Sequence, residues 1–163
     1  MQFSFDWLQS WDGALKLVVA YVFALPVGWY REQEAHSVGL RTFPVVSMAS
    51  CGYILLGTTS AHITPEGQSR IIQGLVTGIG FIGGGAILKS EKQVHGTATA
   101  ASIWCTGVIG AAVAQDRYLL AAMLAALNLF ALRVLLPIKQ KLSREAPTEL
   151  LSGTPNAPPS REE

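Results

Sequence analysis

The chain has 163 residues, of which 50% are hydrophobic and only 14% charged, with a net charge of +1 and a mean hydropathy of +0.34. Soluble domains carry about a quarter charged residues, so this composition points to a membrane, and the balanced charge gives no electrostatic basis for binding nucleic acid. The length suits one domain. The expected fold class is all-α, a polytopic helical membrane protein of about five transmembrane helices over residues 1–138. A short basic and then disordered cytoplasmic tail is expected over residues 139–163.

A span needs about 20 mainly apolar residues. The first candidate is Gly13 to Tyr30, with Lys16 near one end and Trp11, Trp29 and Tyr30 placed for the aromatic belts. It reads as a retained span, because the N-terminus has no basic region and carries Asp6 and Asp12. Phe43 to Ala61 is the second and least hydrophobic candidate, with Pro44 in its first turn. Ile71 to Leu88 is the third and is rich in glycine. Thr97 to Ala114 is the fourth and is rich in small residues. Tyr118 to Ile138 is the fifth, with Arg133 near its end. Short polar breaks separate them.

Five spans place the first loop, the third loop and the C-terminus on one side. That side holds Arg31, Arg41, Lys89, Lys92, Lys139, Lys141 and Arg144, whereas the other holds only Arg70 and Arg117. The positive-inside rule therefore predicts an external N-terminus and a cytoplasmic C-terminus.

The segment Gly78-Ile79-Gly80-Phe81-Ile82-Gly83 matches the glycine spacing of a dinucleotide-binding loop. It lies inside an apolar run, however, without the strand and helix context that reading needs. Helix packing is the physical alternative. Gly74 and Gly78, and Gly80 and Gly84, are pairs at the spacing that lets backbones approach closely in lipid. Glycine on several faces predicts a central third helix surrounded by protein. A second option is that Gly83, Gly84 and Gly85 break the helix and expose backbone groups to a ligand. In the fourth span, the hydroxyls of Thr97, Thr99, Ser102 and Thr106 are expected to pack against a partner helix or to line a polar path.

The first loop combines Arg31, Glu32, Glu34, His36 and Arg41. Arg41 and Thr42 open the second span and Arg70 opens the third. A cation there opposes the helix dipole, so an anionic side chain or ligand is expected nearby. Arg31, Glu32, Arg41, Thr42, Arg70, Thr97 and Thr99 are the candidate contacts for a partner or ligand. No catalytic signature is present, and His36, His62 and His95 fall in three separate polar segments. No acidic pair lies in a span. The chain is expected not to be an enzyme and to need no metal or cofactor. Cys51 and Cys105 read as buried thiols.

Taken together, these segments resemble the MgtC/SapB family of membrane proteins. The matching residues are Arg31-Glu32 with Gly39-Leu40-Arg41-Thr42, then Ser69-Arg70 through Leu88, then Val94-His95-Gly96 through Trp104. The family pattern has an acid before the loop arginine, where this chain has Tyr30. It has Asp-Pro before the Ser-Arg pair, where this chain has Gly67-Gln68. The resemblance is to the N-terminal transmembrane domain, and the ACT-type domain of many members is not expected here. It implies a bacterial inner-membrane protein, linked in some members to magnesium homeostasis, growth at low magnesium and virulence. The role it implies is restraint of the proton-driven ATP synthase by contact within the membrane, with magnesium transport the older alternative. The leading expectation is thus a regulatory protein in the lipid bilayer that contacts another membrane protein, or itself as a homo-oligomer. An ion or small-solute transporter or channel is the second, and a structural oligomer without ligand the third.

Overall fold

The computed structural model describes residues 7–35, 39–59, 64–90 and 93–135. His36, His62, Lys92, the end of the fifth predicted span and the tail lie outside them. Five helices follow one another: α1 (Trp7–Ala35), α2 (Thr42–Thr59), α3 (Pro65–Gly85), α4 (Thr97–Ala114) and α5 (Tyr118–Phe130), the last continued by a π-helical turn, Ala131–Leu135. Between α3 and α4 lies a hairpin of β1 (Leu88–Ser90) and β2 (Gln93–His95), in which Lys89 pairs with Val94. The sequence reading expected only a polar loop there.

Local chemistry accounts for several element ends. Thr64 caps α3, its hydroxyl accepting from the Gly67 N–H at 3.2 Å, and Pro65 follows at the first helical position, where a missing N–H costs nothing. Helix α3 therefore begins six residues before the predicted Ile71. Gly96 has φ +86° just before α4, and a Cβ there would overlap the Ala86 carbonyl. Both the left-handed backbone and the close approach require glycine. At the α4–α5 turn Asp116 has φ 60°, a conformation Asp tolerates better than most residues.

The helices alternate in direction. Arg31 meets Thr99 at one end, and Lys16 meets Asp116 at the other. The upper end gathers the C-termini of α1, α3 and α5 with the N-termini of α2 and α4. The lower end gathers the converse termini. Helices Trp11–Gln33 and Thr97–Ala114 are long and apolar enough to cross a membrane, and Thr42–Thr58 and Tyr118–Val134 are shorter apolar helices. Helix α3 has 21 residues but is not apolar enough to join them.

The centre of the bundle is α4, which packs against α1, α2, α3 and α5. This corrects the expectation of a central glycine-rich third helix. Ten residues of α4 are buried, among them Gly107, Gly110, Ala112 and Ala114, whereas α3 buries only Ile79 and Gly83. Small side chains on every face of α4 let its neighbours approach its backbone. A Cβ at Gly110 would overlap the Ser47 carbonyl of α2, and one at Gly107 would overlap Ile79 of α3. By contrast, a Cβ added at Gly74, Gly78, Gly80, Gly84 or Gly85 would meet nothing within 4 Å. Gly83, between them, is packed, with the Ala100 carbonyl 3.3 Å from where its Cβ would stand. The second option, a break at Gly83–Gly85, is not seen. These glycines form the last turn of α3, and Gly96 is the one positive-φ glycine among the described residues.

Gly110→Ala is therefore expected to lower stability by about 1–3 kcal/mol through overpacking. Gly74→Ala should be neutral or stabilising by up to about 1 kcal/mol through helix propensity. Thermal unfolding of the two purified variants in detergent checks this, and an equal loss in both would contradict the packing described.

Candidate functional site

The predicted contact residues divide into three groups. The first is a buried polar cluster at the upper end. Arg31, near the end of α1, is 7% exposed, and its Nη2 donates to Oγ1 of Thr99. The arginine lies against a hydroxyl because α4 presents Thr99, Ser102 and Thr106 at helical spacing on one buried face. Glu32, the next residue on α1, is exposed, and its Oε2 accepts from the Leu40 N–H at 3.0 Å. Gly39 lies tightly against α1, since a Cβ there would overlap the Glu32 backbone. Arg41 is exposed and Thr42 half-buried at the start of α2.

Below Arg31 the hydroxyl row continues. Ser102 Oγ donates to Oδ1 of Asn128 at 2.6 Å, and Asn128 Nδ2 donates back to the Ser102 carbonyl at 3.3 Å. Thr106 Oγ1 also donates to the Ser102 carbonyl, at 2.8 Å. Asn128 was missed in the sequence, although a lone amide in the apolar run of α5 was a signal that it needed a buried partner. Just beyond it the Tyr30 hydroxyl reaches the Leu132 carbonyl at 3.5 Å, and Arg133 lies 5.9 Å from the Tyr30 ring centroid. The buried polar groups thus tie α1 and α5 to α4.

The second group lines two grooves on either side of α3. One groove, between α2 and α3, has a volume of about 460 Å³ and includes Gly74 and Gly78. The other, between α3 and α4, has a volume of about 380 Å³ and includes Gly80, Gly83, Gly84, Thr97 and Trp104. Thr97 accordingly faces the glycines of α3, while Thr99, two residues on, meets Arg31. The third group is isolated: Arg70 is exposed at the lower end, in the opening turns of α3.

The lower end holds an ion cluster with no counterpart in the sequence reading. Lys16 Nζ lies 2.8 Å from Asp116 Oδ1 and 3.2 Å from Asp12 Oδ2, and its own side chain is 9% exposed. The hydrogen bond from Lys16, and then that from Tyr118, hold the Asp116 carboxyl below its ordinary value. Cys51 and Cys105 are both free. Among the described residues no three His, Cys, Asp or Glu side chains form a group able to hold a metal ion.

Two measurements test these contacts. A double-mutant cycle of Ser102→Ala and Asn128→Ala should show a coupling of about 0.6–1.7 kcal/mol, the range for hydrogen bonds between membrane helices; additive effects would exclude the pair. The lowered Asp116 carboxyl stabilises the fold above the ordinary carboxylate range, and that contribution is lost as pH falls through its native value. The unfolding midpoint should thus fall on acidification below about pH 4, and fall less in Asp116→Asn than in the native chain.

Comparison with known proteins shows the family of the chain. The chain is 32% identical over 113 residues to the uncharacterised Synechocystis protein slr0014, covering 69% of this chain and 46% of that one. It is 34% identical over 96 residues to protein MgtC of Salmonella typhimurium, covering 59% and 40%. It is 30% identical over 127 residues to YhiD of Escherichia coli, named as a candidate magnesium transporter, covering 74% and 59%. The chain thus spans about half the length of these relatives. No solved structure matches it. The model of the MgtC family matches residues 17–141, which include all of α2 to α5 and most of α1, and the chain is a membrane protein of that family.

Proposed function

We propose that this protein is a regulator in the inner membrane of a bacterium, acting by helix contact with a larger membrane complex. The observation that carries this reading is the open glycine face of α3. Gly80 and Gly84 have free space beyond their α-carbons and share a groove with Thr97, Ala101 and Trp104 of α4. In lipid, close packing of backbones and interhelical hydrogen bonds drive helix association, and a groove floored by glycine and alanine suits both. Thr97, exposed in that groove, supplies a hydroxyl for a partner. The partner is another membrane protein or a second copy of the chain. Restraint of the proton-driven ATP synthase is the specific form of this role that the family resemblance implies, with low-magnesium growth and virulence its physiological setting.

The chain in this reading is a multi-pass domain over residues 1–138, followed by the tail 139–163. Its upper end, with Arg31, Arg41, Lys89 and Arg133, faces the cytoplasm together with the C-terminus. The N-terminus and the Lys16 cluster face outward.

A transport reading is favoured by one observation, the buried row of Thr99, Ser102, Thr106 and Asn128. The name of YhiD points the same way. Against passage of a divalent cation, the buried charged residues among those described are Lys16 and Arg31, both cationic.

Purification of the tagged chain in mild detergent, with identification of captured proteins, tests the regulatory reading. Gly84→Leu should reduce capture by about 5- to 150-fold at equal membrane abundance, the equivalent of about 1–3 kcal/mol of overpacking. Gly84→Ala should be milder. Undiminished capture by Gly84→Leu would reject the α3–α4 groove as the contact. Ion flux above empty liposomes by the purified chain would favour transport instead.

A further inference from the structure

The groove on the other side of α3 has a different character. It runs between α2 and α3 from Ile71 to Ile82, about 16 Å at the helical rise. Val46 and Ala49 form its α2 wall, and Gly74 and Gly78 open its α3 wall. Its lining is almost wholly apolar. The hydroxyl of Ser50 is already used, donating to the Val46 carbonyl at 2.7 Å, so the phenol of exposed Tyr53 is the one other side-chain polar group along the groove.

Charge is concentrated where the groove reaches the upper end. Arg41 stands immediately before α2, and Lys89 lies in β1, four residues after α3 ends. Both side chains are exposed. Both ion pairs among the described residues belong to Lys16, so neither Arg41 nor Lys89 has a carboxylate partner there. The first turn of α2 carries no acid, so no carboxylate there offsets Arg41. An apolar slot of acyl-chain length thus runs toward the end of the bundle that carries Arg41 and Lys89.

We propose that this groove is a site for a single anionic phospholipid. One acyl chain lies along Gly74 and Gly78 between α2 and α3, and the headgroup phosphate lies between Arg41 and Lys89. A neutral lipid would fill the slot without satisfying the cations, and a free phosphate would meet the cations without filling the slot. The site is separate from the α3–α4 groove, so lipid and protein contacts occupy opposite sides of α3.

The test uses the full chain, purified and delipidated in detergent, with phosphatidylglycerol and phosphatidylcholine of identical acyl chains. Retained lipid is read by native mass spectrometry. The native chain should keep one phosphatidylglycerol in preference to phosphatidylcholine, and inorganic phosphate should not displace it. Arg41→Ala and Lys89→Ala should each weaken retention about fivefold, as expected for a cation at a membrane surface. Gly78→Phe should fill the slot from a position whose Cβ meets nothing, and so displace the lipid without a change in helicity or unfolding midpoint. Arg117→Ala, at the lower end, should retain lipid as the native chain does. Equal retention of both lipids, or unchanged retention in Gly78→Phe and in Arg41→Ala with Lys89→Ala, would overturn the proposal. Loss of a dimer in Gly78→Phe with lipid retention unchanged would overturn it too, assigning the groove to a second copy.

Discussion

The architecture depends on how closely other backbones can approach α4. In a bilayer there is little hydrophobic gain in moving apolar side chains from lipid to a helix interface, so packing and hydrogen bonds hold a bundle together. Helix α4 supplies both. Gly107 and Gly110 admit Ile79 and the Ser47 carbonyl to its surface. Thr99 and Ser102 then bond to Arg31 on α1 and Asn128 on α5. A larger residue at either glycine would separate the helices, and the hydrogen bonds of the neighbouring turns would lengthen with them.

That arrangement leaves α3 in an unusual position for a glycine-rich helix. It is tied to the bundle through Ile79 and Gly83, with Gly57 of α2 receiving Ile71. Most of its remaining glycines face outward into two grooves of different chemistry. The α3–α4 groove is floored by small residues and carries the Thr97 hydroxyl, which suits a helix. The α2–α3 groove is longer and apolar and runs toward two cations, which suits a lipid. A helix with little burial in its own bundle is free to exchange such contacts without disturbing the core.

The two ends of the bundle use charge differently. At the upper end Arg31 is drawn in between α1 and α4, while Arg41, Lys89 and Arg133 remain exposed. At the lower end a single lysine is buried and met by two exposed carboxylates, Asp12 and Asp116. Lys16 therefore does more than snorkel: its bond to Asp116 joins α1 to the α4–α5 turn across 100 positions of sequence. That turn is held in a left-handed conformation suited to Asp.

Helix number, the bounds of α4, the start of α2 to within one residue, and the all-α class were legible in the sequence. They follow from local apolar runs and their polar breaks, which act over one element at a time. The Gly96 entry to α4 was legible too, because a glycine between a polar break and an apolar run answers a local backbone demand. The centrality of α4, the outward glycines of α3, the pairing of Ser102 with Asn128 and the Lys16–Asp116 bridge were decided only by the tertiary structure. A glycine permits close approach equally to a helix of its own chain, to a partner or to lipid. An apolar run likewise does not say which face is covered. Those choices depend on which helices lie side by side, and that follows from the packing of all five at once.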